Sequence, residues 1–144
     1  MSELKNSLFI ITGAGSGIGQ ALTLKAIAEG ANVIAADINE QGLDETIAQT
    51  DGKAEKYILD VANHAAIISF AADIIKKHPN EKIILVNNAG VGLASGNFTE
   101  TPLDDFEWLM NINLYGVVRM TKAFLPHLLK QIKVISSMCP AFMD

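Results

Sequence analysis

Short apolar runs alternate with amphipathic stretches along this chain of 144 residues. Runs of this kind are typical of parallel strands, which are buried on both faces and need no polar side. The predicted strands are Ser7–Thr12, Val33–Ala36, Ala54–Leu59, Ile83–Val86 and a fifth, Ile132–Ile135. The predicted helices are Gly17–Glu29, Gln41–Gln49, Ala65–Lys77 and Pro102–Leu129. The alternation predicts one α/β domain, residues 1–144, with a doubly wound, mainly parallel sheet in the strand order 3-2-1-4-5.

The pattern inside two of these helices predicts how they pack. Residues Ile18, Leu22, Ala26 and Ile27 recur at helical spacing, which predicts an amphipathic first helix. The long helix carries two apolar stripes, so we expect it to be buried on two sides, by its own sheet and by a second subunit. The first stripe comprises Phe106, Met110, Val117, Met120, Phe124 and Leu128, and the second comprises Leu109, Ile112, Leu125 and Leu129.

Particular residues near each end of the long helix predict where it begins and how its last turns are shaped. Thr101 is predicted to cap it, with Pro102 in the first helical position and acidic residues in the first turn. Pro126 should kink or tighten the last turns, because proline removes one backbone donor.

Composition narrows the function classes. The chain is 49% hydrophobic, with a mean hydropathy of +0.26 and a net charge of −5, and it has no basic cluster, which argues against a nucleic-acid surface. No apolar run approaches the roughly 18 residues that would cross a membrane. The N-terminus lacks a signal-peptide pattern, and the single Cys139 fits a reducing compartment, so the predicted location is cytoplasmic. The three histidines lack metal-ligand spacing, and no metal site is predicted.

A glycine-rich turn follows the first strand. Gly13, Gly17 and Gly19 lie between an apolar strand and a helix. Glycines there let backbone N–H groups approach a pyrophosphate at a helix N-terminus, as in Rossmann-like dinucleotide folds. The alternative is a tight strand–helix turn with no ligand.

An acidic residue ends the second strand. Asp37 stands at about the 20-residue offset expected for a carboxylate that accepts from the adenosine ribose hydroxyls. A carboxylate would repel a 2′-phosphate, and neither Ser16 nor Ile38 offers a cation, so NAD is favoured over NADP. The alternative is a helix-capping acid before Asn39.

Four motifs in order resemble those of the short-chain dehydrogenase/reductase family over most of residues 5–137. They are Thr12-Gly13-x-x-x-Gly17-x-Gly19, Asp60-Val61, Asn87-Asn88-Ala89-Gly90 and Asn113-Leu114-Tyr115-Gly116. The resemblance implies NAD-dependent oxidation of an alcohol or reduction of a carbonyl, in a homo-oligomer assembled through the helix 102–129. It implies cofactor contacts from Gly13, Ser16, Gly17, Ile18, Gly19, Asp37, Asp60, Val61, Asn88, Ala89 and Gly90. It also implies catalytic roles for Ser137, at the end of the fifth strand, and for Asn113.

Each motif also has a structural interpretation. Asn87–Gly90 would then be a polar turn that stabilises the sheet, Asp60 a helix cap, and Asn113 a polar residue satisfied within the core.

The acid/base pair of the family is missing from the sequence. The resemblance implies a Tyr-x-x-x-Lys pair about a dozen residues after Ser137, and neither Tyr57 nor Tyr115 provides it. The junction between the long helix and the fifth strand is also short, which suggests a deletion, a frameshift or an alternative end. We therefore predict an oxidoreductase of this type that is catalytically impaired. The alternatives are a non-catalytic dinucleotide-binding or interaction module, or a truncated remnant.

Overall fold

The computed structural model describes residues 4–93 and 97–131. The strands in this part of the chain are β1 (Ser7–Thr12), β2 (Asn32–Asp37), β3 (Ala54–Ile58) and β4 (Lys82–Val86). The helices are α1 (Gly17–Ala28), α2 (Glu40–Ile47), α3 (His64–Lys77), α4 (Leu103–Asn113) and α5 (Tyr115–Gln131). The predicted fifth strand, Ser137 and Cys139 lie outside the described residues.

The four strands form one parallel sheet in the order β3-β2-β1-β4. Leu8 of β1 stands opposite Asn32 of β2 on one side and opposite Ile83 of β4 on the other. The predicted fold class is confirmed, with the order 3-2-1-4 for the described strands. The order changes direction between β1 and β4, and in such sheets ligands bind beside the strand ends at that point.

Each face of the sheet carries its own apolar cluster. Side chains alternate along a strand, so neighbouring residues of β1 and β2 serve opposite faces. The face toward α1 and α2 contains the buried residues Ile11, Ala14, Ala26, Ala31, Val33, Ala35 and Leu43. The face toward α3 and α5 contains Leu8, Ile10, Ile34, Ala36, Leu59, Val61, Ile67, Phe70, Ala71, Ile74, Ile83, Met120 and Phe124.

Helix α1 packs on only part of its predicted apolar stripe, since Ala26 and Ile27 contact the core and Ile18 and Leu22 do not. Ile18 is 72% exposed and Leu22 is 39% exposed, whereas Gly19, Thr23 and Ala26 are buried. The prediction was wrong for Ile18 and Leu22 because the helix lies very close to the end of β1. Small residues are needed there, and the larger apolar side chains turn outward.

The predicted long helix is two helices. Leu114, with φ −105° and ψ −61°, separates α4 from α5, although its own N–H and C=O still bond to Met110 and Val118. Within the predicted stripes Met120 and Phe124 are buried. Other members of the stripes, and α4 along its whole length, remain partly or largely exposed.

The predicted start of the long helix also needs correction. Pro102 is the N-cap and the first helical residue is Leu103, so the helix begins one residue later than expected. The Thr101 hydroxyl donates to the carbonyl of Asn97 instead of capping the helix. Pro126 lies inside α5 and does not end it.

Among the described helices, none has the length and apolar character that a membrane crossing requires.

Candidate cofactor-binding site

A cleft of about 400 Å³ opens at the carboxyl ends of the four strands. Ten of the eleven residues predicted to hold a cofactor line it, and the eleventh, Gly19, does not. The ten are Gly13, Ser16, Gly17, Ile18, Asp37, Asp60, Val61, Asn88, Ala89 and Gly90. Other lining residues, none of them among the predicted cofactor contacts, are Ile38, Leu59, Val91 and Ile112.

The glycine turn brings the N-terminus of α1 to the cleft. Gly13 and Gly17 have φ of +68° and +53°, a region that side chains rarely enter. A methyl group on Gly17 would meet no atom within 4 Å, so open space lies in front of the helix. Ser16 is the N-cap, yet its side chain bonds to no backbone N–H, and the first turn holds no acidic residue. The first N–H groups of α1 and the positive end of its dipole are thus available to an anion.

Gly19 serves packing beneath this turn. A methyl group there would lie 2.0 Å from the carbonyl oxygen of Gly13 and 2.6 Å from Nδ2 of Asn88. The residue lets α1 approach the end of β1, which sets the position of the whole turn.

The Asp37 carboxylate is held at both oxygens. Oδ2 accepts from the N–H of Gly15 at 2.8 Å, and Oδ1 accepts from the N–H of Asn39 at 2.9 Å. The cap of α2 is Asn39, whose Oδ1 accepts from the N–H of Gly42, so the helix-cap interpretation of Asp37 is wrong. The two backbone donors fix the carboxylate at the edge of the cleft.

Helix α2 supports the glycine turn through contacts that sequence reasoning missed. A methyl group on Gly42 would lie 2.6 Å from the carbonyl oxygen of Gly15. The Thr46 hydroxyl donates to the carbonyl of Ala14 at 2.9 Å and accepts from Nε2 of Gln20. A glycine within a helix costs stability, and this cost is the one signal that could have identified Gly42.

The Asp60–Val61 turn forms the wall of the cleft below β3. Oδ1 of Asp60 accepts from the N–H of Ala62 at 2.8 Å. The N-cap of α3 is Asn63, so the helix-cap interpretation of Asp60 is also wrong. Val61 lies against Gly116 of α5, where a methyl group would come within 3.0 Å of the valine side chain.

Thr12 joins β1 to the turn that follows β4. Its Oγ1 accepts from the N–H groups of Asn88 at 3.0 Å and Ala89 at 3.1 Å. Nδ2 of Asn88 donates to the carbonyl oxygens of Thr12 at 3.0 Å and Gly13 at 3.3 Å. These bonds fix the opposite wall of the cleft, in keeping with the sheet-stabilising interpretation of this turn.

Asn113 holds the next part of the same loop. Its Oδ1 accepts from the N–H of Val91, and its Nδ2 donates to the carbonyl of Val91, both at 2.8 Å. Both polar atoms of the side chain are therefore engaged by one residue of the cleft wall.

The described lining of the cleft carries negative charge and no positive charge. Asp37 and Asp60 are its only charged residues among those described, and no lysine or arginine lines it. No group of three His, Cys, Asp or Glu residues within residues 4–93 and 97–131 could hold a metal ion.

Comparison with known proteins shows what the chain is similar to. Residues 7–138 match the sequence profile of the short chain dehydrogenase family. The probable oxidoreductase EphD of Mycobacterium tuberculosis is 40% identical over 122 residues, which are 83% of this chain and 20% of that protein.

Solved structures similar to this chain are also short-chain dehydrogenases or oxidoreductases. A short chain dehydrogenase/reductase from Burkholderia phymatum in complex with NAD is 31% identical, with a TM-score of 0.83 over 92% of this chain and 48% of the other. A metagenomic short-chain oxidoreductase in complex with NADP is 28% identical, with a TM-score of 0.83 over 90% of this chain and 60% of the other. The chain spans 20% to 60% of the length of these three proteins.

Proposed function

Because the chain belongs to the short-chain dehydrogenase/reductase family, we propose that its cleft binds a nicotinamide dinucleotide, with NAD preferred over NADP. The observation that carries this proposal is a single cleft with an uncapped helix N-terminus in one wall and a fixed carboxylate in the next. These are the groups needed for a pyrophosphate and for a ribose diol.

The phosphate end of the proposed site is the turn from Gly13 to Gly19. The open space in front of Gly17 and the uncapped start of α1 fit an anionic group. Backbone N–H groups at a helix N-terminus would bind the pyrophosphate, while Gly19 keeps the turn in place.

Selectivity for NAD rests on Asp37. Its carboxylate would accept from the ribose hydroxyls, and it is held by Gly15 and Asn39 so that it cannot turn away. A 2′-phosphate would meet this negative charge, and no cation among the described lining residues would offset it. Solved relatives bind either cofactor, so the preference depends on this chain's own residues.

The remaining predicted residues have roles in this site. Asp60 and Val61 would contact the adenine ring, with Oδ2 of Asp60 as the acceptor because Oδ1 is taken by Ala62. Asn88, Ala89 and Gly90 would border the nicotinamide half, where Thr12 and Asn113 fix the loop.

The proposed chemistry is hydride transfer between an alcohol and a carbonyl compound. The nicotinamide ring, when bound, supplies or accepts the hydride. Ser137 would hydrogen-bond the substrate oxygen, and Asn113 would act by positioning Val91. The proton-transfer pair Tyr-x-x-x-Lys does not occur in the 144 residues, so this chain on its own should bind cofactor with little turnover.

We also propose self-association through α4 and α5. Both helices expose large apolar side chains, which monomeric proteins rarely gather on one surface. Those on α5 include Val117, Val118, Leu125 and Leu129.

The test is a titration of the 144-residue chain with NADH and NADPH, followed by nicotinamide fluorescence. We expect saturable NADH binding and weaker NADPH binding. Asp37→Asn should weaken NADH about 10- to 100-fold, because a hydrogen bond to a charged group contributes about 1.5–3 kcal/mol. Addition of alcohols or ketones to the loaded chain should produce little change in nicotinamide absorbance.

Asp51→Asn is the matched control. Asp51 is exposed, lies outside the cleft and has φ +51°, which asparagine tolerates. This variant should bind NADH as the parent chain does. Equal affinity of the parent chain for NADH and NADPH would contradict the role of Asp37, and clear turnover would contradict the proposed impairment.

A further inference from the structure

The side chain of Arg119 connects helix α5 to the wall of the cleft. Its Nη1 donates to the carbonyl of Asn111 at 3.1 Å and to the carbonyl of Val61 at 3.5 Å, and its Nη2 donates to Oδ1 of Asn111 at 2.7 Å. The guanidinium carbon lies 5.6 Å from the centre of the Tyr115 ring. The last turn of α4 thus fixes the guanidinium group, which presents one nitrogen to the Asp60–Val61 turn.

The backbone hydrogen bonds inside this turn are local. Oδ1 of Asp60 accepts from the N–H of Ala62 at 2.8 Å, and the Asp60 carbonyl accepts from the N–H of Asn63 at 3.0 Å. Neither bond ties the turn to α4 or α5. Among the described residues, Arg119 is the only one whose side chain donates a hydrogen bond to residues 60–62. The position of the turn relative to these two helices therefore depends on the arginine and on apolar packing.

The apolar packing comes from the same stretch of α5. The Val61 side chain is buried, and a methyl group on Gly116 would come within 3.0 Å of its Cγ2. Gly116 and Arg119 are three residues apart and so lie on one face of the helix. The side chain and the carbonyl of Val61 are thus both held by this face. Because Val61 lines the cleft, a displacement here would change the shape of the wall.

We propose that Arg119 is a positioning residue for the adenine half of the cleft. This inference rests on the proposed function, in which Asp60 and Val61 contact the adenine ring. Arg119 lies outside the described lining of the cleft, so it acts through the Val61 carbonyl and not on the cofactor itself. It fixes the turn before the cofactor arrives, so that binding does not have to order it.

Arg119 also borders a second cavity, and this gives it an alternative role. The cavity, of about 480 Å³, is an apolar groove on α4 and α5 that Phe106, Met110 and Tyr115 help to line. It belongs to the surface for which self-association is proposed. A role confined to that surface would change association without distinguishing one end of the cofactor from the other, and the experiment uses this difference.

The first test compares NADH with its deamino analogue, reduced nicotinamide hypoxanthine dinucleotide, as ligands of the 144-residue chain. The analogue has a carbonyl oxygen where adenine has an amino group, so it loses the hydrogen bond proposed to Asp60. The parent chain should bind NADH about tenfold or more tightly than the analogue. Arg119→Met, which has a long side chain but no donor, should lower this preference about threefold to tenfold, chiefly by weakening NADH binding.

Two further variants control this comparison. Lys122→Met removes an exposed cation from α5 and should keep the parent's preference. Arg119→Lys keeps the charge but not the planar fork that reaches Val61 and Asn111 together, so the preference should fall less than in Arg119→Met. The parent's preference in both Arg119 variants would overturn the proposal. Equal weakening of NADH and the analogue in Arg119→Met would also overturn it, because the effect would then not be directed to adenine.

Amide hydrogen exchange without ligand tests the positioning itself. In Arg119→Met the N–H groups of Ala62 and Asn63 should exchange about tenfold faster than in the parent chain. The N–H of Leu59 donates to the carbonyl of Asp37 in the sheet and should stay protected. Unchanged exchange at Ala62 and Asn63 would overturn the proposal even in a chain that binds NADH. A parent chain that binds no NADH would instead refute the proposed function, and the adenine role of Arg119 with it.

Discussion

Glycines two residues apart in one motif serve different physical purposes. Gly17 has a positive φ and open space ahead of it, so its value lies in backbone conformation and in room for a ligand. Gly19 has no such room, because its Cα faces the Gly13 carbonyl and the Asn88 side chain. In the proposed site Gly17 would serve binding, whereas Gly19 serves packing, although one sequence motif contains both glycines.

Alanine at these two glycines should therefore have different effects. Gly19→Ala should lower the free energy of unfolding by about 1–3 kcal/mol or more, since the methyl group overlaps backbone. Gly17→Ala should cost about 1–2 kcal/mol for the left-handed conformation and should weaken NADH binding more than it lowers stability. Urea unfolding without ligand, together with an NADH titration, separates the two. Equal unfolding midpoints for Gly19→Ala and the parent chain would contradict this account.

At the scale of elements, the outer strand β3 is attached to α3 by one polar cluster. The Tyr57 hydroxyl donates to Asp73, Lys77 pairs with Asp73 at 3.0 Å, and the Tyr57 ring packs edge-on against Phe70. The Tyr57 hydrogen bond and then Lys77 hold the pKa of Asp73 below its usual 3.8. The bond to Asp73 and then burial raise the pKa of Tyr57 above its usual 10.0.

These shifts predict how stability depends on pH. A carboxyl group whose pKa is lower in the folded chain stabilises the fold above its unfolded pKa, and the contribution disappears as pH falls through the folded value. Tyr57→Phe should thus be less stable than the parent at neutral pH, by a difference that shrinks below about pH 4. Thermal unfolding between neutral pH and acid measures this difference. Tyr115→Phe, at an exposed tyrosine, is the control; a pH-independent difference for Tyr57→Phe would count against the mechanism.

The sequence predicts the elements better than their contacts. Strand positions follow from the apolar runs, and each described strand begins and ends within one residue of its prediction. The reason is that a short, continuous apolar run is typical of a parallel strand buried on both faces. The exposure of Ile18 and Leu22 on α1 could not be predicted, since it depends on how closely Gly19 approaches β1. Gly42 and Thr46 were missed for a related reason: they reach the glycine turn from another helix about thirty residues away, and no local pattern records that contact.

At the scale of the whole molecule, the sheet is covered unequally. Its two faces are packed by helices, yet α4 has no buried residue and α5 exposes Leu125 and Leu129, at 40% and 57%. Apolar surface of this kind is stabilised when another protein surface removes it from water.

We expect a dimer or larger oligomer in solution, with α5 in the interface. Leu125→Glu combined with Leu129→Glu should reduce the measured mass to that of a monomer, because burial of two carboxylates is costly. Light scattering after size-exclusion chromatography gives the mass. Ile68→Glu on α3, which replaces a residue of similar exposure, should leave the mass unchanged. A monomeric parent chain would refute the expectation.

The division of the core between two faces also bears on how the chain folds as it leaves the ribosome. Every buried residue of the face toward α1 and α2 lies before residue 50, so that half can close early in synthesis. The opposite face needs Met120 and Phe124, which are made more than seventy residues later. Among the described helices, α3 alone covers the opposite layer until those residues are made, and the part left uncovered is where a chaperone would bind.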